Sequence, residues 1–118
     1  MPLPIAVVAW LAFSAASSVA FAQSAPAKLD EPKVNGKAVD HCADMDGEND
    51  CSPRGEAKAA LHVCLESGYK DQAGSHWRAA SGTAEHFVTE YDMHAGEVGG
   101  RWMVKPTDGT FDWIACNK

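Results

Sequence analysis

The chain is short of positive charge: ten Lys and Arg stand against sixteen Asp and Glu, a formal net charge of −6. A surface of that sign repels nucleic acid phosphates and anionic lipid, so it excludes both as partners and favours a basic protein, a cation or a neutral glycan. Cys-x-x-Cys is absent, which removes the paired thiols on one tight turn that zinc ribbons and thioredoxin-like motifs require. There is no Gly-x-Ser-x-Gly elbow, and no His-x-x-x-His or His-Glu-x-x-His spacing among His41, His62, His76, His86 and His94. Neither a serine nucleophile nor a zinc centre is therefore indicated. His86 and His94 could share a strand face, but extended chain separates them by roughly 26 Å, too far for one ion. The histidines read as surface residues, and no catalytic residue or cofactor is assigned.

What is present begins with residues 5–22, an apolar and small-residue run without any charge that ends in Ala20-Phe21-Ala22. No Lys or Arg precedes it, so the α-amino group of Met1 supplies the positive end of a secretory signal, and the small residues at the minus-three and minus-one positions place cleavage after Ala22. No Cys follows that site, which argues against a lipid anchor. Residues 23–40, rich in Ala, Pro, Lys and Asp with no apolar period, read as a flexible linker. Residues 41–118 remain as the folded domain. The expected location is secreted or periplasmic, without membrane attachment once the signal is removed.

Four cysteines, Cys42, Cys51, Cys64 and Cys116, lie in the mature part. An even count in a short exported chain reads as a disulfide framework, which a core built from roughly 80 residues needs. Ser52 and Pro53 open a helix, Glu56 suits its positive end, and Ala57, Ala60, Leu61, Cys64 and Leu65 recur at helical spacing, with Lys58, His62 and Glu66 opposite. Gly68 ends it near Ser67. A period of two then places Phe87, Thr89, Tyr91 and Met93 on one face of a strand. Residues 101–105 and 110–116 make two more strands around the turn Pro106-Thr107-Asp108-Gly109, with Phe111 and Trp113 on one face and Ile114 and Cys116 on the other. The expected fold is α+β, one helix packed on an antiparallel sheet of about three strands with two disulfides. Four cysteines allow three pairings. Cys64 sits on the apolar helix face and Cys116 ends the last strand, so Cys64–Cys116 with Cys42–Cys51 is the expected one.

The segment Ala59-Ala60-Leu61-His62-Val63-Cys64, continued by Leu65-Glu66-Ser67-Gly68-Tyr69, and the ending Phe111-Asp112-Trp113-Ile114-Ala115-Cys116 resemble an uncharacterised family of small exported cysteine-rich domains. In that family an Ala-Ala-x-x-Phe-Cys-x-x-x-Gly-Tyr helix is followed by Phe-x-x-Ile-x-Cys. The chain departs from the pattern in its longer gap between Cys51 and Cys64 and in lacking a further cysteine pair before the last strand. The resemblance implies export and a related fold, with no activity and no functional residue.

Two candidate sites remain. Asp44, Asp46, Glu48 and Asp50 carry oxygens at alternate positions, as a calcium loop would. The EF-hand register fails, however, because Gly47 at the sixth position puts Cys42 first and Pro53 last, which leaves a solvated acidic loop as the reading. Trp77, Trp102, Trp113 and Tyr91 are the aromatic candidates for a face that stacks sugars or anchors a protein, although so small a domain also needs large side chains in its core. The functional expectation is a non-catalytic binding module for a protein or glycan outside the cytoplasm, set against a small secreted hydrolase or a calcium-binding domain. Intact-mass measurement of the exported protein should find Gln23 as the first residue; a full-length chain in the membrane fraction would contradict it.

Overall fold

The computed structural model describes residues 25–118, so the apolar run at residues 5–22 and the cleavage site expected after Ala22 lie outside it. The described elements are β1 (Ala27–Asp30), β2 (Lys33–Val34), β3 (Lys37–Met45), β4 (Glu48–Asp50), α1 (Pro53–Glu66), β5 (Asp71–Ala79), β6 (Thr83–Asp92), β7 (Gly96–Pro106) and β8 (Gly109–Asn117). Among the described residues the protein is mostly β, with eight strands joined in one mixed sheet and a single helix. This overturns the α+β expectation of one helix on about three antiparallel strands.

The extra strands come from three places. Residues 23–40 are not a linker from Ala27 onward: β1 pairs antiparallel with the end of β8, and β2 and β3 form a hairpin. Asn35 and Gly36 sit at φ 50° and 79° between Val34 and Lys37, the two positive values of a type I′ turn. Asp46 and Gly47 repeat it, at φ 54° and 82°, between Met45 and Glu48, so the acidic stretch is the β3–β4 hairpin and not an open loop. β5 is the third addition. Its sequence lacks a period of two because it lies along β8 with register shifts on both strands.

The topology also differs from a meander. The sheet runs β1-β8-β3-β6-β7, with β5 on β8 and both β2 and β4 on β3. The turn after Pro106 joins β7 to β8, which do not pair; β8 crosses instead to lie against β1, β3 and β5. β3 and β6 run parallel. The register shift against β5 falls at Asp112 of β8, opposite the step from His76 to Trp77. That additional residue reverses the alternation, so Phe111 joins Ile114 and Cys116 in the core and Trp113 points away from them, against the expected Phe111/Trp113 face.

α1 starts where the sequence says: Ser52 Oγ accepts from the Arg54 N–H at 3.2 Å, and Asp50 Oδ1 accepts from the Ser52 N–H at 2.8 Å. It ends with Gly68 at φ 88° and with the Tyr69 N–H donating to the Cys64 carbonyl at 2.9 Å, a Schellman closure. The buried face is Gly55, Ala59, Ala60, Val63 and Cys64. It is rotated from the expected stripe, leaving Leu65 45% exposed, because small residues let the helix sit close on β3, β5 and β8. Val39, Ala43, Phe87, Phe111 and Ile114 complete the core. Gly100 is required there, since a Cβ would stand 2.4 Å from the Phe87 ring and from the Val88 carbonyl oxygen.

The disulfides are Cys42–Cys51 and Cys64–Cys116, with no free cysteine among the described residues. The first closes β3 onto the helix entry, and the second ties α1 to β8 through the core. Their sequence separations of 9 and 52 residues correspond in the chain-entropy account to about 3 and about 4 kcal/mol. Replacing Cys64 and Cys116 by Ala should therefore lower Tm more than replacing Cys42 and Cys51, a ranking that paired thermal melts test directly.

Candidate functional site

The charged core of the molecule lies where β3 and β6 run parallel. Their register shifts between Val39 and Ala43, leaving a gap in the backbone ladder. Asp40 opens that gap and Asp44 lies just beyond it, and His86 of β6 reaches both: Nδ1 is 2.7 Å from Asp40 Oδ2, and Nε2 is 2.7 Å from Asp44 Oδ1. Carboxylate oxygens only accept, so both ring nitrogens donate and the ring is an imidazolium. Burial draws the His86 pKa down, but the bonds from Asp40 and Asp44 outweigh it and the net shift is upward. Burial likewise pushes Asp44 up, while His86 and Lys105, whose Nζ lies 3.2 Å away, bring it below the usual carboxylate range. The second Asp40 oxygen is 2.9 Å from Thr107 Oγ1 and accepts from the Cys42 N–H at 3.2 Å. Two carboxylates thus face two cations, and His86 and Asp40 are only 2% and 4% exposed. With both nitrogens committed, His86 has no basic lone pair to offer a substrate, and the network acts as a clamp.

A second cluster sits beside it. His41 is 2% exposed, its ring stacked on Trp77 at 3.7 Å between centroids. Its Nε2 lies 2.8 Å from Asp108 Oδ1, and this bond holds the Asp108 carboxyl below its ordinary value. Cys42 Sγ is 3.4 Å from Nε2 and 3.9 Å from Nδ1. His62 is half-buried against the Phe87 ring at 3.8 Å, and burial together with Lys58 lowers its pKa. The expectation of surface histidines thus fails for His41, His62 and His86, because each packs on an aromatic ring or a carboxylate. His76 keeps the exposed character, with Nδ1 2.7 Å from Asp112 Oδ1.

The calcium candidates disperse. Asp44 turns inward to His86, Asp46 pairs with Arg54 Nη2 at 3.4 Å, Glu48 is exposed on β4, and Asp50 holds the capping Ser52 of α1. Among the described residues the set of three donor atoms within 4.8 Å of one another is His41, Cys42 and Cys51, and its sulfurs are bonded to each other. The aromatic candidates do not share one face either. Trp77 stacks on His41, Trp102 meets the Phe87 ring edge-on at 5.1 Å, and Trp113 lies under Lys28 Nζ at 5.5 Å. Tyr91, 42% exposed, stands near the β6–β7 turn with Met93 at 92%, beyond the last β3 pairing, where the expected apolar face has nothing to cover it. A cleft of about 370 Å³ along α1 is lined by Arg54, Lys58, Leu61, Asp71 and Glu97 among others, without a histidine; Lys58 Nζ is bonded to Glu97 Oε1 at 2.7 Å.

Sequence reasoning missed Asp40, His41, His86, Lys105 and Asp108. The one local signal was the His41-Cys42 adjacency; the remaining contacts are 42 to 67 residues apart along the chain. Two disulfides suit an oxidising, extracellular environment, and among the described residues no helix is long and apolar enough to cross a membrane. No family model, curated protein or solved structure matches the chain.

The clamp sets a pH window. His86 holds its proton more tightly folded than unfolded, so its contribution is complete below its ordinary 6.5 and is lost as pH rises through the raised folded value. Asp44 contributes above its ordinary 3.8, and that part is lost as pH falls through the lowered value. Urea unfolding should therefore give greatest stability between about pH 4 and about pH 6.5. His86→Leu, which leaves two facing carboxylates without their imidazolium, should cost about 3–5 kcal/mol; parental stability, or stability rising from pH 6 to 8, would contradict this.

Proposed function

We propose that the domain is a secreted or periplasmic non-catalytic binding module that engages a protein partner through the end of the β6–β7 hairpin. The observation that carries the reading is the exposure there of large apolar side chains: Met93 at 92%, Val98 at 58% and Tyr91 at 42%. Full exposure of an apolar side chain forgoes about 1.5–3 kcal/mol of burial, so a group of them on a projecting hairpin is a contact surface in waiting.

Local chemistry supports a fixed presentation of these residues. Asp92 Oδ1 accepts from the His94 and Ala95 N–H groups at 2.8 and 3.0 Å and so shapes the turn, and Gly96 takes φ 82°. The Lys58–Glu97 bond fastens the turn end of the hairpin to α1, with the two side chains 18% and 33% exposed. Glu90 and Asp92 stand beside the apolar residues and are exposed. With the net charge of −6, this favours a basic partner with an apolar pocket, such as an envelope hydrolase or another basic exported protein.

The parent chain and a Met93→Asp, Val98→Asp variant, each immobilised, should be compared in capture from an envelope extract. The expected outcome is a protein retained by the parent and lost by the variant at unchanged Tm, with retention weakening as salt rises. Equal retention by both would remove the hairpin from the reading.

A further inference from the structure

The two disulfides stand in opposite surroundings. Cys64 and Cys116 are both fully buried, so no thiol reaches either sulfur in the folded protein. In the other, Cys42 is 3% exposed while Cys51 is open to solvent, directly before the Ser52 cap of α1. We propose that Cys42–Cys51 is a thiol–disulfide exchange site that takes electrons from the thiols of a neutral or basic peptide.

The geometry assigns each part of the exchange. A thiolate of the partner attacks Cys51 Sγ, the exposed sulfur; the S–S bond breaks, and its electron pair leaves on Cys42 Sγ. That sulfur lies beside the His41 ring, 3.4 Å from Nε2 and 3.9 Å from Nδ1. Asp108 accepts from the Nε2 N–H at 2.8 Å, so in the imidazolium the Nδ1 proton is the one left for the sulfur, and the Trp77 stack fixes the ring plane. The leaving thiolate takes that proton. A second thiol of the partner then attacks the mixed disulfide at its own sulfur and releases the Cys51 thiolate, which forms at the positive end of the fourteen-residue α1 and takes up a proton. In sum the partner dithiol becomes a disulfide and Cys42–Cys51 becomes two thiols, with two electrons and two protons transferred.

The class of thiol follows from the charge around the entry. The groups about the sulfurs are His41 and Asp40 on β3, Asp108 on the β7–β8 turn, Asp50 on β4 and Arg54 on α1. Asp46 and Glu48 add to the β3–β4 hairpin. An anionic thiol is repelled from such an entry and a cationic one is drawn to it.

The test is the rate of opening of each disulfide in the folded protein, with cysteamine, mercaptoacetate and dithiothreitol as probes, followed by alkylation and peptide mapping. Cys42–Cys51 should open while Cys64–Cys116 stays closed, and cysteamine should act faster than mercaptoacetate at equal thiolate concentration. His41→Phe, which keeps a ring on Trp77, should slow opening about tenfold or more. Per attacking thiolate, the parent rate should carry a solvent deuterium isotope effect from the His41 proton, and His41→Phe should abolish it. Asp108 is a positioning residue whose side chain is 81% exposed, so Asp108→Asn tests it without disturbing the core and should slow opening and shrink that isotope effect. Equal rates and equal isotope effects in the parent and both variants, or earlier opening of Cys64–Cys116, would make Cys42–Cys51 a structural staple and overturn the proposal.

Discussion

Everything in this fold leans on one strand, and that strand is held by a charge. β3 carries β2 and β4 on hairpins, meets β8 on one side and β6 on the other, and lies under α1. Yet its parallel pairing with β6 is interrupted between Val39 and Ala43. The His86 imidazolium spans the interruption, bonding Asp40 at its start and Asp44 just past its end. Side chains thereby replace what the backbone ladder lacks. A buried ion pair is seldom the most stabilising choice for a core, but losing one member is costly because the others stay buried and unpaired. The network thus fixes a register that apolar packing against β6 would not specify alone.

That placement determines the neighbouring chemistry. Holding Asp40 and Thr107 together brings the β7–β8 turn over the end of β3. Asp108 can then reach His41, and Trp77 lies on its ring. The same strand supplies Cys42, so the clamp, the histidine and the accessible disulfide form one continuous region. The β6–β7 hairpin extends past the last β3 pairing, which leaves Tyr91, Met93 and Val98 without cover.

How much of this the sequence discloses depends on the range of the interaction. Local devices were legible: the Ser52 cap, Pro53, and the Gly68 stop all stand where they were expected. The Asn35-Gly36 and Asp46-Gly47 turns were equally legible as hairpin signals, but the Pro, Lys and Asp content around them read as linker and acidic loop. β5 was not, since Asp71–Ala79 has no β-branched residue and its register against β8 shifts twice. The Phe111/Trp113 face failed for a related reason: one additional residue at Asp112 reverses every side chain beyond it. The clamp itself left no pattern in the sequence. An Asp pair on one strand and a His more than forty residues later have no shared period until the sheet brings them together.

The claim that a doubly paired imidazolium fixes β3 is open to one direct observation. Long-range ¹H–¹⁵N correlation spectra of the His86 ring, followed from pH 5 to pH 9, report the protonation of both nitrogens. The structure predicts two protonated nitrogens at pH 6.5, and a titration midpoint above the ordinary value of 6.5. A neutral ring at that pH with a single protonated nitrogen would contradict it.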